Sequence, residues 1–215
     1  MIPLILKLKK DIHKRIAIAQ DLIIQELYNI FNDAVLHGGT AIWRCYNGNR
    51  FSEDIDVYLQ KNIDKINLLF EKLNKQGFTL KKKKISKNSL YSVLEYNRAI
   101  IRLEALFKKV SGSLKEYETA DSNLITVYTL TPEQFILEKI DTYLKRRKIR
   151  DLYDIFFLLR YADVNKIKNK LNQFIKHFNK PIDEKELRVL IIQGLVPTSE
   201  KMFDYIKQYG KRKIS

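Results

Sequence analysis

The pattern of apolar and polar residues changes character along the chain. In the first part, stretches with apolar residues three or four positions apart are interspersed with short runs that are apolar or alternate. This mixture predicts helices interspersed with strands. The predicted helices cover residues 9–31, 40–46 and 63–76. The predicted strands cover residues 34–37, 54–59, 78–85, 89–96, 99–107 and 123–130, and a loop is predicted over residues 110–123.

From Thr131 onward the pattern is helical throughout. Thr131, Pro132 and Gln134 combine an N-cap, a proline at the first helical position and a glutamine at the capping-box position. Further helices are predicted over residues 150–162, 164–178, 183–194 and 199–209. We therefore expect an α+β fold of two domains, in which a mixed sheet with flanking helices (1–130) is followed by a C-terminal helical bundle (131–215).

Charge is the strongest signal in the composition. The 215 residues include 40 Lys and Arg against 25 Asp and Glu, for a net charge of +15. Such an excess is typical either of a solubilising surface or of a protein with a polyanionic partner such as RNA, DNA or nucleotides. The single cysteine, Cys45, excludes an internal disulfide framework and a cysteine-based zinc site. No apolar run reaches the roughly 18 residues of a membrane helix, so we expect a cytoplasmic protein without a membrane partner.

Two aspartates alternate on the strand predicted over residues 54–59. Asp54 and Asp56 are two residues apart, so their carboxylates point to the same face of the strand. This arrangement is used to hold a pair of hard cations in phosphoryl and nucleotidyl transfer. Acids on a solvated strand face would give the same pattern. A nuclease would also fit, although the glycines upstream would then have no purpose.

A glycine pair stands between the strand at 34–37 and the helix that follows it. Gly38 and Gly39 allow the backbone to approach a phosphate closely, and the helix N-terminus offers free N–H groups and a positive dipole end. Thr40 adds a hydroxyl at the same point. A tight turn alone would explain the glycines, but the order of strand, Gly-Gly, helix and D-x-D favours a nucleotide-and-metal site.

This ordered segment resembles the AbiEii group of nucleotidyltransferase toxins, within the polymerase-β-like nucleotidyltransferase superfamily. That group typically shows GGTAL followed by R-x-S-x-D-I-D. The matching residues are Gly38, Gly39, Thr40, Ala41, Arg50, Ser52, Asp54, Ile55 and Asp56. The resemblance implies a polymerase-β-like sheet and transfer of a nucleoside monophosphate from an NTP to an acceptor hydroxyl. It also implies that Arg50 and Ser52 join the glycines in binding the nucleotide.

A second segment carries the resemblance into the helical part. The family has a Lys on a helix followed by a basic R-x-x-x-R-D-h-x-D-h element, where h is apolar. The matching residues here are Lys139, Arg146, Arg150, Asp151, Leu152, Asp154 and Ile155. The resemblance implies that Lys139 binds the triphosphate with help from Arg150, and that Asp151 positions the nucleotide or orients the basic side chains. The nucleotide site is then expected in a cleft between the two domains, which the second domain completes.

The superfamily also implies cofactors and partners. It often supplies a third metal carboxylate from a later strand, and Glu104 is the candidate to join Asp54 and Asp56 in holding Mg²⁺ or Mn²⁺. The resemblance implies a toxin with a cognate antitoxin and with tRNA as the acceptor. The alternatives are a protein or small-molecule acceptor, or a catalytically inactive module that binds RNA or a partner.

One basic tract lies outside these motifs. Residues 81–89 contain four consecutive lysines, and Tyr91 and Tyr96 follow closely. A solvated hairpin explains the tract, but lysines of this density can also follow a phosphate backbone, and the tyrosines can stack on bases. His37, next to the glycines, is expected to be a structural residue at a strand end.

Overall fold

The structure is a computed structural model that describes residues 3–211 of the chain. The chain divides into two compact units, Met1–Thr129 and Leu130–Ser215. The outermost residues of the two predicted domains, 1–2 and 212–215, lie outside the described residues. The prediction that the second domain completes a nucleotide site stays a prediction.

The first unit alternates helices and strands, as the residue pattern predicted. Its helices are α1 (Leu4–Lys7), α2 (Asp11–Ile30), α3 (Gly38–Cys45) and α4 (Ile63–Lys75). Its strands are β1 (Val35–His37), β2 (Ile55–Leu59), β3 (Thr79–Ile85), β4 (Ser89–Tyr96), β5 (Ala99–Phe107), β6 (Ser113–Glu118) and β7 (Leu124–Thr129).

All seven of these strands form one sheet in the order β3-β4-β5-β2-β1-β7-β6. The β1–β7 and β2–β5 pairs are parallel, and the other neighbouring pairs are antiparallel. The mixed sheet of an α+β fold is therefore confirmed. β1 and β5 are the two neighbours of β2. A residue at the start of β2 therefore has the end of β1, with the glycine turn at Gly38 and Gly39, on one side and β5 on the other.

The two faces of the sheet have different surroundings. On β5, Ile101, Leu103 and Ala105 are buried, and α2 packs against this side of β4 and β5. The residues that alternate with them, such as Arg102 and Leu106, point to the opposite face, where they are exposed. We call this opposite side the open face of the sheet, and it is the face toward which Asp54 and Asp56 are directed.

A buried arginine anchors α3. Arg44 is 1% exposed, and its guanidinium donates to the carbonyl oxygens of Ala17 and Glu118 and to the carboxylate of Asp21. Tyr117 also donates to Asp21, at 2.9 Å. Burial raises the pKa of Asp21, and the positive charge of Arg44 partly opposes that shift. This network fixes α3, the short helix that begins at the glycines, to both α2 and β6.

The second unit consists of helices and turns over the part of it that is described. Its helices are α5 (Pro132–Arg146), α6 (Ile149–Leu158), α7 (Val164–His177), α8 (Leu187–Leu190) and α9 (Ser199–Lys211). The predicted capping box of α5 is confirmed, since Thr131 and Gln134 exchange hydrogen bonds between side chain and backbone. Arg147, at φ +49°, ends α5 in the left-handed conformation. Arg146 and Arg150 therefore lie on different helices.

Two predicted elements were wrong. The loop over 110–123 contains β6, an edge strand whose central residues are charged and exposed, so it lacks the apolar alternation that marks a strand. The helix over 183–194 is reduced to a 3₁₀ turn at Glu184–Glu186 and the four residues of α8. Only Leu187 of these residues is buried, so no apolar stripe stabilises a longer helix.

Within residues 3–211, every helix is too short or too polar to cross a lipid bilayer.

Candidate active site

The glycine pair forms the junction between β1 and α3. Gly38 has φ +72°, a left-handed conformation that glycine adopts without a steric penalty. Helix α3 begins at Gly38, so the glycines belong to its first turn and are not a separate loop as the sequence suggested. The backbone N–H groups of a first turn have no partner within the helix, and the helix dipole is positive at this end. The junction is thus suited to bind an anion.

The carboxylate of Asp56 lies directly against this junction. Strands β1 and β2 are antiparallel, with His37 paired to Asp56. A Cβ atom placed on Gly38 would lie 2.0 Å from Oδ2 of Asp56, far inside van der Waals contact. The absence of a side chain at Gly38 is what allows one aspartate of the D-x-D pair to reach the first turn of α3.

Gly39 has the same relation to the other residues of the motif. A Cβ atom on Gly39 would lie 2.5 Å from a terminal nitrogen of Arg50 and 2.6 Å from Oγ of Ser52. Arg50 is buried and donates to the carbonyl oxygen of Phe51 at 3.1 Å. The structure therefore brings Gly38, Gly39, Arg50, Ser52 and Asp56 together at one end of the sheet, although the two parts of the motif are 11 to 18 positions apart in the chain.

Thr40 connects α3 to the segment that precedes β2. Its side chain is fully buried, and its hydroxyl donates to the backbone carbonyl of Asp54. The amide nitrogen of Gln20 donates to the same hydroxyl at 3.4 Å and to the carbonyl of Ser52 at 2.9 Å. A hydroxyl has one proton, so Thr40 could donate to a phosphate only by giving up its bond to Asp54. Phosphate binding by Thr40 stays a prediction.

Asp54 is held by a basic residue that the sequence did not single out. Arg102 on β5 donates to both carboxylate oxygens of Asp54, at 2.7 and 2.5 Å. The hydrogen bond to Asp54 raises the pKa of Arg102 above its usual value. The side chains are 44% and 23% exposed, respectively. A cation that binds Asp54 must therefore compete with a bidentate ion pair at the edge of the open face.

Glu104 lies beside Asp56 across the β2–β5 pair. The parallel register pairs these two residues directly, so both project from the open face on neighbouring strands. Among residues 3–211, no group of three or more acidic, histidine or cysteine side chains is placed closely enough to hold a metal ion. The assignment of Asp54, Asp56 and Glu104 as metal ligands stays a prediction.

The predicted residues of the second unit form a charge cluster of their own. Asp151 and Asp154 on α6 are 0% and 1% exposed. Lys139 on α5 lies 2.7 Å from Asp154 and 3.5 Å from Asp151, and Arg146 contacts both oxygens of Asp151 at 2.7 and 2.9 Å. Arg150 lies in the first turn of α6 and is half-buried. Asp151 thus pairs with the two basic side chains of α5, while its predicted role at the site and nucleotide binding by Lys139 and Arg150 stay predictions.

Comparison with known proteins identifies the family. The chain matches the sequence model of the family described as "Nucleotidyl transferase AbiEii toxin, Type IV TA system" over residues 25–204. The chain therefore belongs to the AbiEii nucleotidyltransferase toxin family, and its enzyme class is that of a nucleotidyltransferase. The matched range includes every residue of both motifs. No curated protein sequence matches the chain.

Solved structures share the fold. The protein JHP933 from Helicobacter pylori is similar with a TM-score of 0.62 at 18% identity, over 90% of this chain and 88% of that one. A second Helicobacter pylori protein, provisionally assigned as a nucleotidyltransferase, has a TM-score of 0.60 at 19% identity, over 90% of both chains. At these identities the likeness concerns the fold alone. It confirms the α+β architecture with C-terminal helices.

Two contributors to the site were missed from sequence, Arg102 and Gln20. Arg102 lies on the strand predicted over residues 99–107, but its distance from Asp54 depends on the register of two strands that are remote along the chain. Gln20 lies on the apolar face of the amphipathic helix α2. A polar residue at such a position was the signal that could have identified it from sequence. Gln20 is 0% exposed and links α2 to the segment between α3 and β2.

The contact between Gly38 and Asp56 predicts a specific loss of stability. Gly38→Ala should lower the free energy of unfolding by about 1–2 kcal/mol through its left-handed backbone and by roughly 1–3 kcal/mol more through the clash with Asp56. Gly77→Ala is the matched control, since Gly77 has φ +94° and its nearest atom would be 3.9 Å from a Cβ. Urea unfolding of both variants measures the difference.

The Asp56→Ala background separates the two contributions to the Gly38 effect. Removal of the carboxylate should bring the cost of Gly38→Ala close to that of Gly77→Ala, because the backbone strain and a 3.0 Å contact with the Cβ atom of residue 56 are what is left. Equal losses for Gly38→Ala and Gly77→Ala in the wild-type background would contradict the close contact.

Proposed function

We propose that the chain transfers a nucleoside monophosphate from an NTP to a hydroxyl group of RNA, with tRNA as the acceptor and Mg²⁺ or Mn²⁺ as the cofactor. The single observation that carries the proposal is the packing of Asp56, Arg50 and Ser52 against the two glycines at the start of α3. This packing places an acid, a cation and a hydroxyl beside an anion-binding helix end, which is the set of groups that a triphosphate and its counterions require.

The reaction has a simple balance. A hydroxyl oxygen of the acceptor bonds to the α-phosphorus, and the bond from that phosphorus to the bridging oxygen of the β-phosphate breaks. Pyrophosphate leaves, and the proton of the hydroxyl passes to solvent. The chain contributes mostly position and charge. The first turn of α3 and the Ser52 hydroxyl would receive phosphate oxygens, and Arg50, Lys139 and Arg150 would offset negative charge.

The acidic residues suit a hard cation in chemical type. Asp54, Asp56 and Glu104 offer carboxylate oxygens from neighbouring strands on one face of the sheet, and Mg²⁺ and Mn²⁺ prefer such ligands. When bound, a divalent cation would polarise the acceptor hydroxyl and neutralise part of the triphosphate charge. A cation at Asp54 would compete with the ion pair between Asp54 and Arg102.

The biological setting follows from the family. Its description as toxins of type IV toxin–antitoxin systems supports a role as a cytoplasmic toxin with a cognate antitoxin. The net charge of +15 supports a polyanionic acceptor, for which tRNA is our proposal. The alternatives to this proposal are transfer to a protein or a small molecule, and a catalytically inactive module that only binds RNA or a partner.

Transfer of label from NTP tests the activity. We expect purified protein with Mg²⁺ to move label from an α-labelled NTP to total tRNA, and Asp56→Asn to reduce the rate at least about a hundredfold. Glu53→Gln is the matched control, since Glu53 is an exposed acid just outside the D-x-D pair. Label that resists RNase would identify a protein acceptor. No transfer by the folded wild type to any acceptor would refute the proposed activity.

The affinity for divalent cations should depend on Arg102. An exposed ion pair contributes up to about 1 kcal/mol, so Arg102→Ala should tighten Mn²⁺ binding by up to roughly fivefold by removing the competitor for Asp54. Titration of Mn²⁺ followed by electron paramagnetic resonance measures this without any turnover. In the Asp54→Asn background the Arg102 substitution should have a smaller effect, because only its charge interaction with Glu104 is then removed. Weaker Mn²⁺ binding by Arg102→Ala would show that Arg102 supports the site instead of competing for it.

A further inference from the structure

A cavity of about 430 Å³ opens on the open face of the sheet beside the D-x-D pair. Asp56 and Glu104 line one side of it. The β3–β4 hairpin lines the other side with Lys84, Tyr91 and two serines, Ser86 and Ser89. The volume lies in the range of small-ligand sites, roughly 300–1,000 Å³. The sequence motifs assign no role to these four hairpin residues.

Strand register explains why these side chains meet. Lys84 pairs with Tyr91, Tyr91 with Glu104, and Glu104 with Asp56, so the four residues form a row across β3, β4, β5 and β2. Directly paired residues point to the same face, and neighbouring strands are about 4.8 Å apart. Lys84 is therefore roughly 14 Å from Asp56 along the row. The cavity extends from a candidate catalytic acid toward a basic edge strand.

The hairpin side of the cavity has the chemistry of a nucleic-acid site. Tyr91 offers a half-buried aromatic ring, with the ammonium of Lys82 5.5 Å from its centroid. Lys82 and Lys84 alternate on β3 and share the open face, where both are exposed. An aromatic ring flanked by lysines can stack on a base while the lysines contact phosphates. A ring between two lysines fits a base and its phosphates better than it fits a neutral peptide.

The position of the cavity also distinguishes acceptor from NTP. The glycine turn adjoins Asp56 on the β1 side, where His37 lines the near end of the cavity, whereas the rest of the cavity extends from Asp56 across β5 to the hairpin. In nucleotidyl transfer the attacking oxygen and the leaving pyrophosphate lie roughly in line on opposite sides of the phosphorus. With the triphosphate at the glycine turn, a hydroxyl that enters from the cavity would approach from the required side.

Resting on the proposed function, we propose that this cavity is the acceptor subsite and binds the terminal nucleotide of a single-stranded RNA 3′ end. The base stacks on Tyr91, the adjoining phosphate contacts Lys84, and the terminal ribose hydroxyl points toward Asp56. The hydroxyl oxygen bonds to the α-phosphorus of the NTP, pyrophosphate leaves, and the hydroxyl proton passes to solvent.

Fluorescence anisotropy with a labelled RNA that ends in a single-stranded 3′ overhang tests the subsite without catalysis. Tyr91→Ala and Tyr91→Leu should each weaken binding by roughly fivefold to a hundredfold, since both lose the stacking ring. Tyr91→Phe should bind as the wild type does. Lys84→Ala should reduce the salt dependence of binding by about 0.7 in the slope of log affinity against log salt concentration.

Lys83→Ala is the matched control for Lys84→Ala. Lys83 is the next residue on the same strand, but it points to the helix-covered side, where it donates to Asn67 at 3.1 Å. Lys83→Ala should leave the slope of log affinity against log salt concentration nearly unchanged. In the transfer assay, the Tyr91 and Lys84 variants should raise KM for RNA by the same factors and leave KM for the NTP unchanged.

The outcomes separate the subsite from the proposed function. If wild type labels RNA while Tyr91→Ala, Tyr91→Leu and Lys84→Ala keep its RNA affinity and KM, the subsite is wrong and the function stands. If wild type transfers nothing but the variants lose RNA binding as expected, the cavity is an RNA-binding site and the proposed transfer is wrong. Label on protein and not on RNA would overturn the RNA end as the occupant. Thermal melting of each variant identifies any loss of binding that is due to unfolding.

Discussion

Two glycines without side chains determine how the rest of the candidate site is assembled. Gly38 leaves room for the carboxylate of Asp56, and Gly39 leaves room for Arg50 and Ser52, at distances that no Cβ atom could share. The same two residues begin α3, so the space they leave is next to free backbone N–H groups. The carboxylate of Asp56 and the guanidinium of Arg50 are thereby held close to a helix end that is suited to bind an anion.

Buried ionic networks support each unit by itself. In the first unit, Arg44 and Asp21 fix α3 against α2 and β6. In the second, Lys139 and Arg146 neutralise Asp151 and Asp154, which are almost fully buried. A buried carboxylate that loses its partner costs about 3–5 kcal/mol. Substitutions at these residues therefore affect folding as well as any role in nucleotide binding, and activity measurements on them require a stability control.

The sequence allowed most of the fold to be predicted because the apolar periodicity was strong. The D-x-D strand, the lysine-rich hairpin and the capped helix after Thr131 were all correctly placed. Strand β6 was missed because an exposed edge strand with Lys115 and Glu116 at its centre needs no apolar alternation. The ion pair between Arg102 and Asp54 was missed because it depends on the pairing of β5 with β2, which local patterns do not encode.

The convergence of the motif residues could be anticipated from sequence, but their environment could not. Order and spacing suggested that the glycines and Asp56 would meet. Nothing in the sequence indicated that the hydroxyl of Thr40 is buried and committed to the carbonyl of Asp54. Such contacts are decided by packing in three dimensions, where a polar side chain next to a motif can serve the fold as readily as a ligand.

Hydrogen exchange with and without a non-hydrolysable NTP and Mg²⁺ tests the location of the nucleotide most directly. We expect nucleotide binding to slow exchange at the backbone amides of residues 38–41, where the first turn of α3 would receive phosphate oxygens. Gly39→Ala should abolish that protection, because its Cβ would displace Arg50 and Ser52. Nucleotide binding that protects other segments and leaves residues 38–41 unchanged would contradict the assignment of this turn as the phosphate site.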